Sequence, residues 1–245
     1  HVEAGIRSGD LSMPEEINRI VTDSITDYYF TTSELANKNL LKSGIVNERI
    51  FFVGNTMIDT LLKHRNRFIK NSIWDTLSLK EKEYFIVTLH RPTNVDQADK
   101  LKALIEAIIK NSNGLPLIFP VHPRTKQTLD KFGFDFPTLF KIAPLGYLEF
   151  NYLVERAKAV ITDSGGITEE TTVMGIPCMT IRTNTERPET VSLGTNELLG
   201  IEPENIKPAM EKLFSGKWKK GEIPSLWDGR SAERIVDIIL NKLNV

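Results

Sequence analysis

The chain of 245 residues has one cysteine, Cys178, so no disulfide can form within it. That suits a reducing compartment, and a cytoplasmic location is the expectation. Cys178 lies in the apolar run Ile176-Pro177-Cys178-Met179-Thr180-Ile181 and reads as a small core residue rather than a reactive thiol. Neither sign of charge is in excess: 31 basic and 32 acidic residues leave a net charge of −1. Such a balance gives no field that would draw in nucleic acid or an anionic membrane, so neither is expected as a partner. An anionic ligand would have to be held by a local site. No apolar stretch approaches the roughly 18 residues of a membrane span, and no signal peptide is visible. Three phosphate, dinucleotide and nucleophile signatures are also missing. Without Gly-x-x-x-x-Gly-Lys-Ser/Thr the chain is no P-loop protein. Without Gly-x-Gly-x-x-Gly a nicotinamide dehydrogenase is disfavoured, and no Gly-x-Ser-x-Gly elbow occurs. The histidines lack metal-ligand spacing, so no zinc site is expected.

What is present is a regular alternation of strand-like apolar runs and helical patterns, the mark of βα units around a parallel sheet. Pro14-Glu15-Glu16 starts a helix through about Ile25, with proline and acids in the first turn. Tyr28 to Thr32 reads as a strand, Ser33 caps a helix that stops at Gly44, and Arg49 to Val53 is the next strand. Gly54-Asn55-Thr56 turns into a helix beginning near Met57. Residues 70–83 are polar and lack an apolar period, which places a domain boundary at or just before them. A second series follows: strand Phe85 to Leu89, and a helix capped by Asp96 that carries Leu101, Leu104, Ile105, Ile108 and Ile109 on one face. Leu117 to Val121 is a strand, Pro123 to about Phe132 a helix, Tyr147 to Ala157 a helix, and Val160 to Thr162 a buried strand. Ile167 to Met174 is a helix ended by Gly175, followed by strand Cys178 to Ile181 and closing helices Glu204–Phe214 and Ala232–Leu243. The opening His1-Val2-Glu3-Ala4-Gly5 reads as the exit of a buried strand whose partners come from elsewhere, so upstream sequence is inferred to be missing.

In doubly wound sheets ligands bind outside the carboxyl ends of strands, so the candidate sites are the turns there. Asp163-Ser164-Gly165-Gly166-Ile167-Thr168-Glu169-Glu170 runs from strand through paired glycines into helix. Glycine lets a ligand approach the backbone, and a helix start offers free N–H groups to a phosphate. Ser164 can add a hydroxyl, and Glu170 can accept both hydroxyls of a ribose. The plainer reading is a tight turn followed by a solvated acid. Arg187, after the strand at 178–181, can neutralise a diphosphate or pair with Glu186 or Glu189. His90-Arg91 leaves the strongest strand, and His122-Pro123-Arg124 repeats the arrangement one unit later. Both histidines suit anion binding or proton transfer, although a lone histidine is commonly structural. Glu3 at a strand exit and Glu15 in a helix first turn, with Arg19 a turn further on, could supply an acid and a base. Alternatively Glu15 and Glu16 only complement the helix dipole, a reading that fits Glu16 well.

Taken together and in order, His1-Val2-Glu3-Ala4-Gly5-Ile6-Arg7, Pro14-Glu15-Glu16-Ile17-Asn18-Arg19, Gly54-Asn55-Thr56, His90-Arg91, Asp163 to Glu170 and Thr185-Glu186-Arg187-Pro188-Glu189 resemble the non-hydrolysing UDP-N-acetylglucosamine 2-epimerases. Gly146-Tyr147-Leu148-Glu149-Phe150 is similar to the stretch that carries the family's uracil contact. The resemblance implies two Rossmann-like doubly wound parallel-sheet domains of glycosyltransferase-B type, the first truncated. Residues 1–55 would be the remnant of the N-terminal domain, 56–230 the UDP-binding domain and 231–245 a closing helix. It implies interconversion of UDP-N-acetylglucosamine and UDP-N-acetylmannosamine, by elimination of UDP to 2-acetamidoglucal and re-addition, with no metal or other cofactor. Glu3, Glu15 and His90 match catalytic or sugar-contacting positions, and Arg19 a supporting one. Ser164, Gly165, Gly166, Glu170 and Arg187 match UDP contacts, Phe150 the uracil contact, and His122 is grouped with them by its place in the sheet. A homodimer is implied for the complete protein. The family's arginine-bearing loop and a further carboxylate from its N-terminal half are not in this chain, so the chain alone is expected to bind UDP weakly and not to epimerise. Pro92-Thr93-Asn94 lacks the acid that commonly precedes the asparagine, and Thr183 replaces the usual aspartate. Competing readings are an epimerase of a UDP-2,3-diacetamido uronic acid, a nucleotide-sugar transferase of the same fold, and a non-catalytic UDP-sugar-binding remnant.

Overall fold

The computed structural model describes residues 1–121, 125, 126, 129 and 136–242. The chain forms two compact units. Unit 1 comprises His1–Asn66, Thr185–Glu189 and Ile223–Val245, and unit 2 comprises Arg67–Asn184 and Thr190–Glu222.

Unit 2 is built on six parallel strands: β3 (Phe85–Thr88), β4 (Leu117–Pro120), β5 (Leu139–Ile142), β6 (Ala159–Thr162), β7 (Cys178–Thr180) and β8 (Asn196–Leu198). Their order across the sheet is β5-β4-β3-β6-β7-β8. The chain therefore winds outward in one direction from β3 and then returns to wind the other way from β6, the Rossmann arrangement. The central strands are short apolar runs because helices cover both faces. Phe85, Ile86, Ala159, Val160 and Ile161 are all fully buried. Helix α6 (Ala98–Asn111) turns Leu101, Leu104, Ile105 and Ile108 into this core, while Ile109 is only half-buried. Cys178 is buried in the sheet, and burial pushes its thiol up to about 12, as befits a packing residue.

Three local readings change. Asp96 does not cap α6. Pro92, whose ring fixes φ for a helix start, opens a separate short helix α5 (Pro92–Val95), so Asp96 ends that turn and Gln97 stands at the start of α6 without a side-chain cap. The polar stretch at 70–83 contains helix α4 (Ser72–Thr76), started by Asn71, whose side chain accepts from Ile73 N. Strands β5 and β8 escaped the sequence reading because they lie at the two sheet edges and include polar residues. Of the helix expected over 123–132, residues 125, 126 and 129 are helical and the others lie outside the described residues.

Unit 1 pairs β1 (Tyr29–Thr31) with β2 (Ile50–Phe52) in parallel, and Val2 bridges in parallel to Phe30. Around them stand α1 (Pro14–Ser24), α2 (Glu34–Lys42), α3 (Thr56–His64) and the helix Ser231–Lys242. Ser33 starts α2 by accepting from Ala36 N, and Asn55 starts α3 by accepting from Met57 N, as side-chain caps do. Gly54, at φ +99, lets the chain pass Leu226; a Cβ there would lie 2.1 Å from the Leu226 carbonyl oxygen. The buried Trp227 donates its indole N–H to Thr32 O at 3.1 Å.

Candidate functional site

The reversal of winding in unit 2 falls between β3 and β6, and two of the sequence motifs leave the sheet there. Thr88 and Thr162 are register partners, and their hydroxyls lie 2.6 Å apart. One residue beyond β6, Asp163 is fully buried and collects donors from the β3 exit. It accepts from His90 N at 3.1 Å, Arg91 N at 2.9 Å and Asn94 Nδ2 at 3.0 Å, and lies 2.9 Å from His90 Nδ1. Burial raises the Asp163 carboxyl, but these donors outweigh it and hold it below the usual carboxylate range. Arg91 Nε–H donates to the Asp163 carbonyl at 2.9 Å, so both motifs are fixed as one piece.

Helix α8 (Gly165–Met174) begins immediately after, two residues earlier than the sequence pattern suggested, so both glycines form its first turn. Ser164 occupies the N-cap position in extended conformation but makes no side-chain cap. The first-turn amides of this helix thus point past a hydroxyl at the carboxyl edge of the sheet, where a phosphate would be favoured. Thr88, His90, Pro120, Pro144, Phe150, Ser164 and Ile167 line a cavity of about 220 Å³. One turn further along α8, Glu170 is buried and accepts from the Tyr147 hydroxyl at 2.8 Å. Burial raises its carboxyl above the ordinary value, against the lowering effect of Tyr147 and Asn151. Tyr147, Phe150 and Asn151 come from successive positions of α7 (Tyr147–Arg156) that share a helix face. Tyr147 itself is pushed upward by burial and by the Glu170 charge.

In unit 1, Glu3 adopts φ +64, the left-handed region that favours glycine. The loop around it is pinned by Asp23, which accepts from Gly5 N at 3.2 Å and lies 2.6 Å from both His1 Nδ1 and an Arg7 guanidinium nitrogen. Burial raises the Asp23 carboxyl, and the His1 and Arg7 contacts more than reverse this, so it titrates below its ordinary range. Glu16 is also buried and accepts from Ser8 N at 2.8 Å, Ser8 Oγ at 3.1 Å and Gly9 N at 3.0 Å. Glu16 stands in the first turn of α1, where its charge complements the helix dipole as expected, and it also clamps the loop at Ser8-Gly9. Its neighbour Glu15 is exposed. Arg19 lies 3.7 Å from Glu16 and 4.0 Å from Glu186. Arg187 is buried and donates to Glu3 Oε2 at 3.2 Å, so its carboxylate partner is neither Glu186 nor Glu189 in that bond. Burial raises the Glu189 carboxyl, with the Arg187 charge acting against it.

A family model described as UDP-N-acetylglucosamine 2-epimerase matches residues 1–240. The chain belongs to the UDP-N-acetylglucosamine 2-epimerase family. It is 42% identical to the UDP-N-acetylglucosamine 2-epimerase of Methanocaldococcus jannaschii, over 98% of this chain and 68% of that protein. It is 38% identical to the UDP-2,3-diacetamido-2,3-dideoxy-D-glucuronate 2-epimerase of Pseudomonas aeruginosa, over 98% of this chain and 67% of that protein. The fold is similar to the M. jannaschii enzyme in complex with UDP-GlcNAc and UDP, with a TM-score of 0.86 over 98% of this chain and 68% of the other. It is also similar to the S. aureus MnaA–UDP co-structure, 30% identical with a TM-score of 0.88, over 100% of this chain and 67% of the other. The α/β class and the glycosyltransferase-B type of Rossmann-like fold read from the sequence hold.

Set against the family motifs, the structure distributes the sequence candidates over both units. Glu3, Glu15, Arg19 and Arg187 belong to unit 1, and Glu3 and Arg187 are in contact there. His90, Phe150, Ser164, Gly165, Gly166 and Glu170 belong to unit 2, and His90, Phe150 and Ser164 line one cavity. His122 lies outside the described residues. The sequence reading passed over Asp163, Tyr147, Asn151 and Asp23. Asp163 had a signal, an acid at the strand end one residue before the glycine turn. Asp23 had none, because its partners are 16 to 22 residues away.

Proposed function

We propose that the protein interconverts UDP-N-acetylglucosamine and UDP-N-acetylmannosamine, an isomerisation at C2 that proceeds by loss and return of UDP. The observation that carries this reading is the crevice at the winding reversal, where His90, Phe150 and Ser164 share one cavity beside the start of α8. Relatives solved with UDP or UDP-GlcNAc support it. In this reading the α8 amides and Ser164 hold the diphosphate, Glu170 the ribose hydroxyls and Phe150 the uracil. His90 faces the reacting end. Glu3 and Glu15, supported by Arg19, supply the proton chemistry at C2, and Arg187 offsets phosphate charge. The C2 proton is weakly acidic, so removing it needs a placed carboxylate while the departing diphosphate is stabilised. A homodimer in the cytoplasm completes the proposal.

The test is turnover of UDP-N-acetylglucosamine in deuterated water by the full-length protein, with UDP titrated calorimetrically. Deuterium at C2 of the product and saturable UDP heat are expected. Epimerised product without deuterium, or no UDP heat, refutes the reading. The alternative sugar, a UDP-2,3-diacetamido uronic acid, is distinguished by comparing kcat/KM for the two substrates.

A further inference from the structure

We infer that Asp163 is the positioning residue of His90, setting the imidazole so that Nδ1–H points inward and the Nε2 lone pair faces the cavity. The inference concerns chemistry within the proposed function and rests on that reading for its catalytic meaning, though not for the geometry. Every other donor at Asp163 has a fixed sense. The backbone amides of His90 and Arg91 and the side-chain amide of Asn94 can only donate. The carboxylate is therefore held ionised and acceptor-only, in full burial. A ring nitrogen 2.9 Å from its Oδ1 must then be the donor, which fixes the neutral ring as the Nδ1–H tautomer. Nδ1 belongs to the inward edge, while the side chain as a whole is 41% exposed and lines the cavity with Ser164 and Phe150. Nε2 can thus take a proton from solvent before the elimination, and the resulting imidazolium, stabilised from behind by Asp163, opposes negative charge developing on the departing diphosphate while the C2 proton passes to a carboxylate as proposed above. The same two-point grip on the His90 ring and backbone keeps this orientation as the ligand changes.

Asp163→Asn removes the fixed sense, because its amide can donate to Nδ1 and leave the proton on Nε2. Three measurements test this. Ring-¹⁵N NMR of the wild type at about pH 9, where histidine is ordinarily neutral, is expected to show protonated Nδ1 at His90, and Asp163→Asn the reverse. In the full-length protein Asp163→Asn is expected to lower kcat about 10²- to 10³-fold, by analogy with wrong-tautomer variants of histidine bases. Its UDP Kd is expected to stay within about threefold of wild type, because the α8 amides are untouched. The double variant with His90→Gln should be no slower than His90→Gln alone. A wild-type His90 protonated on Nε2, losses that multiply in the double variant, or a His90→Gln enzyme with wild-type kcat each overturns the inference. Should Asp163→Asn not fold, the wild-type tautomer decides alone. Absence of UDP binding by the wild type would instead defeat the functional reading and leave the tautomer result to judge Asp163.

Discussion

Glu170→Gln is expected to weaken UDP binding while stabilising the fold at alkaline pH, two effects of opposite sign from one side chain. The carboxyl is buried, with its Oε1 occupied by the Tyr147 hydroxyl at 2.8 Å. Its folded-state value is raised above 4.5, mainly by burial. The unfolded chain therefore releases this proton first as pH rises. From the ordinary value up through the raised one, folding stability falls, and above it the full cost of a buried charge is present. Glutamine carries no charge to bury and keeps an acceptor for Tyr147, so the variant should melt higher than wild type at pH 8 and converge with it at pH 4. Binding works the other way. If the ribose hydroxyls donate to the carboxylate, replacing charge-assisted hydrogen bonds with neutral ones forfeits about 1–2 kcal/mol, a rise in UDP Kd of roughly 5- to 30-fold. Hydroxyl donation also favours the ionised form, so wild-type UDP affinity should strengthen with pH across the window between the two carboxyl values, and this component should vanish in Glu170→Gln. Calorimetric titrations and melting curves at pH 4, 6 and 8 measure both. A variant with unchanged UDP affinity would refute the assignment of Glu170 to the ribose, and one that melts lower at pH 8 would refute the buried-charge argument.

Asp23→Ala removes the acceptor shared by His1, Gly5 and Arg7 and leaves the Arg7 guanidinium beside a buried gap, so urea unfolding should show a loss of about 3 kcal/mol. Asp23 and Asp163 both titrate below their ordinary 3.8, so their stabilisation is complete above that value and fades as pH falls through the folded-state values. Circular dichroism should accordingly show acid unfolding beginning below about pH 4, with a shallower slope in Asp23→Ala. Gly54→Ala combines φ +99 with a Cβ 2.1 Å from a carbonyl oxygen and should cost upward of about 4 kcal/mol or abolish soluble expression, whereas Gly44→Ala, at positive φ but with nothing within 4 Å, should cost about 1 kcal/mol.

The sheet was legible where burial leaves no choice of residue. Phe85-Ile86-Val87 and Ala159-Val160-Ile161 must be apolar on both faces, and no polar strand competes with that pattern. Edge strands are looser: Leu139-Phe140-Lys141-Ile142 alternates weakly, and Asn196-Glu197-Leu198 carries two polar residues, so neither stood out. Helix starts were legible when the cap is a side chain acting two or three residues ahead, as at Ser33 and Asn55, and misplaced where Pro92 began an extra turn before α6. The motif residues were found, but their partners were not. The pairing of Glu3 with Arg187 spans 184 positions, and that of His90 with Asp163 spans 73. Local spacing carries no trace of such distances. Glu15 and Glu16 show the same limit at close range: adjacent identical residues differ in fate because successive helix positions project about 100° apart, and only the loop at Ser8-Gly9 decides which one turns inward.

The seam between Thr88 and Thr162 has one more implication. A sheet wound in two directions could in principle spread apart where the windings meet, and a ligand could wedge it open. Here that joint is riveted by a hydroxyl pair and by Asp163, which sits on one wing and grips the backbone of the other. In the proposed placement of the nucleotide this joint is the floor, and the α7 wall bearing Tyr147 and Phe150 is where a different base would have to be accommodated. Engineering a changed base preference should begin on that wall and leave the floor alone.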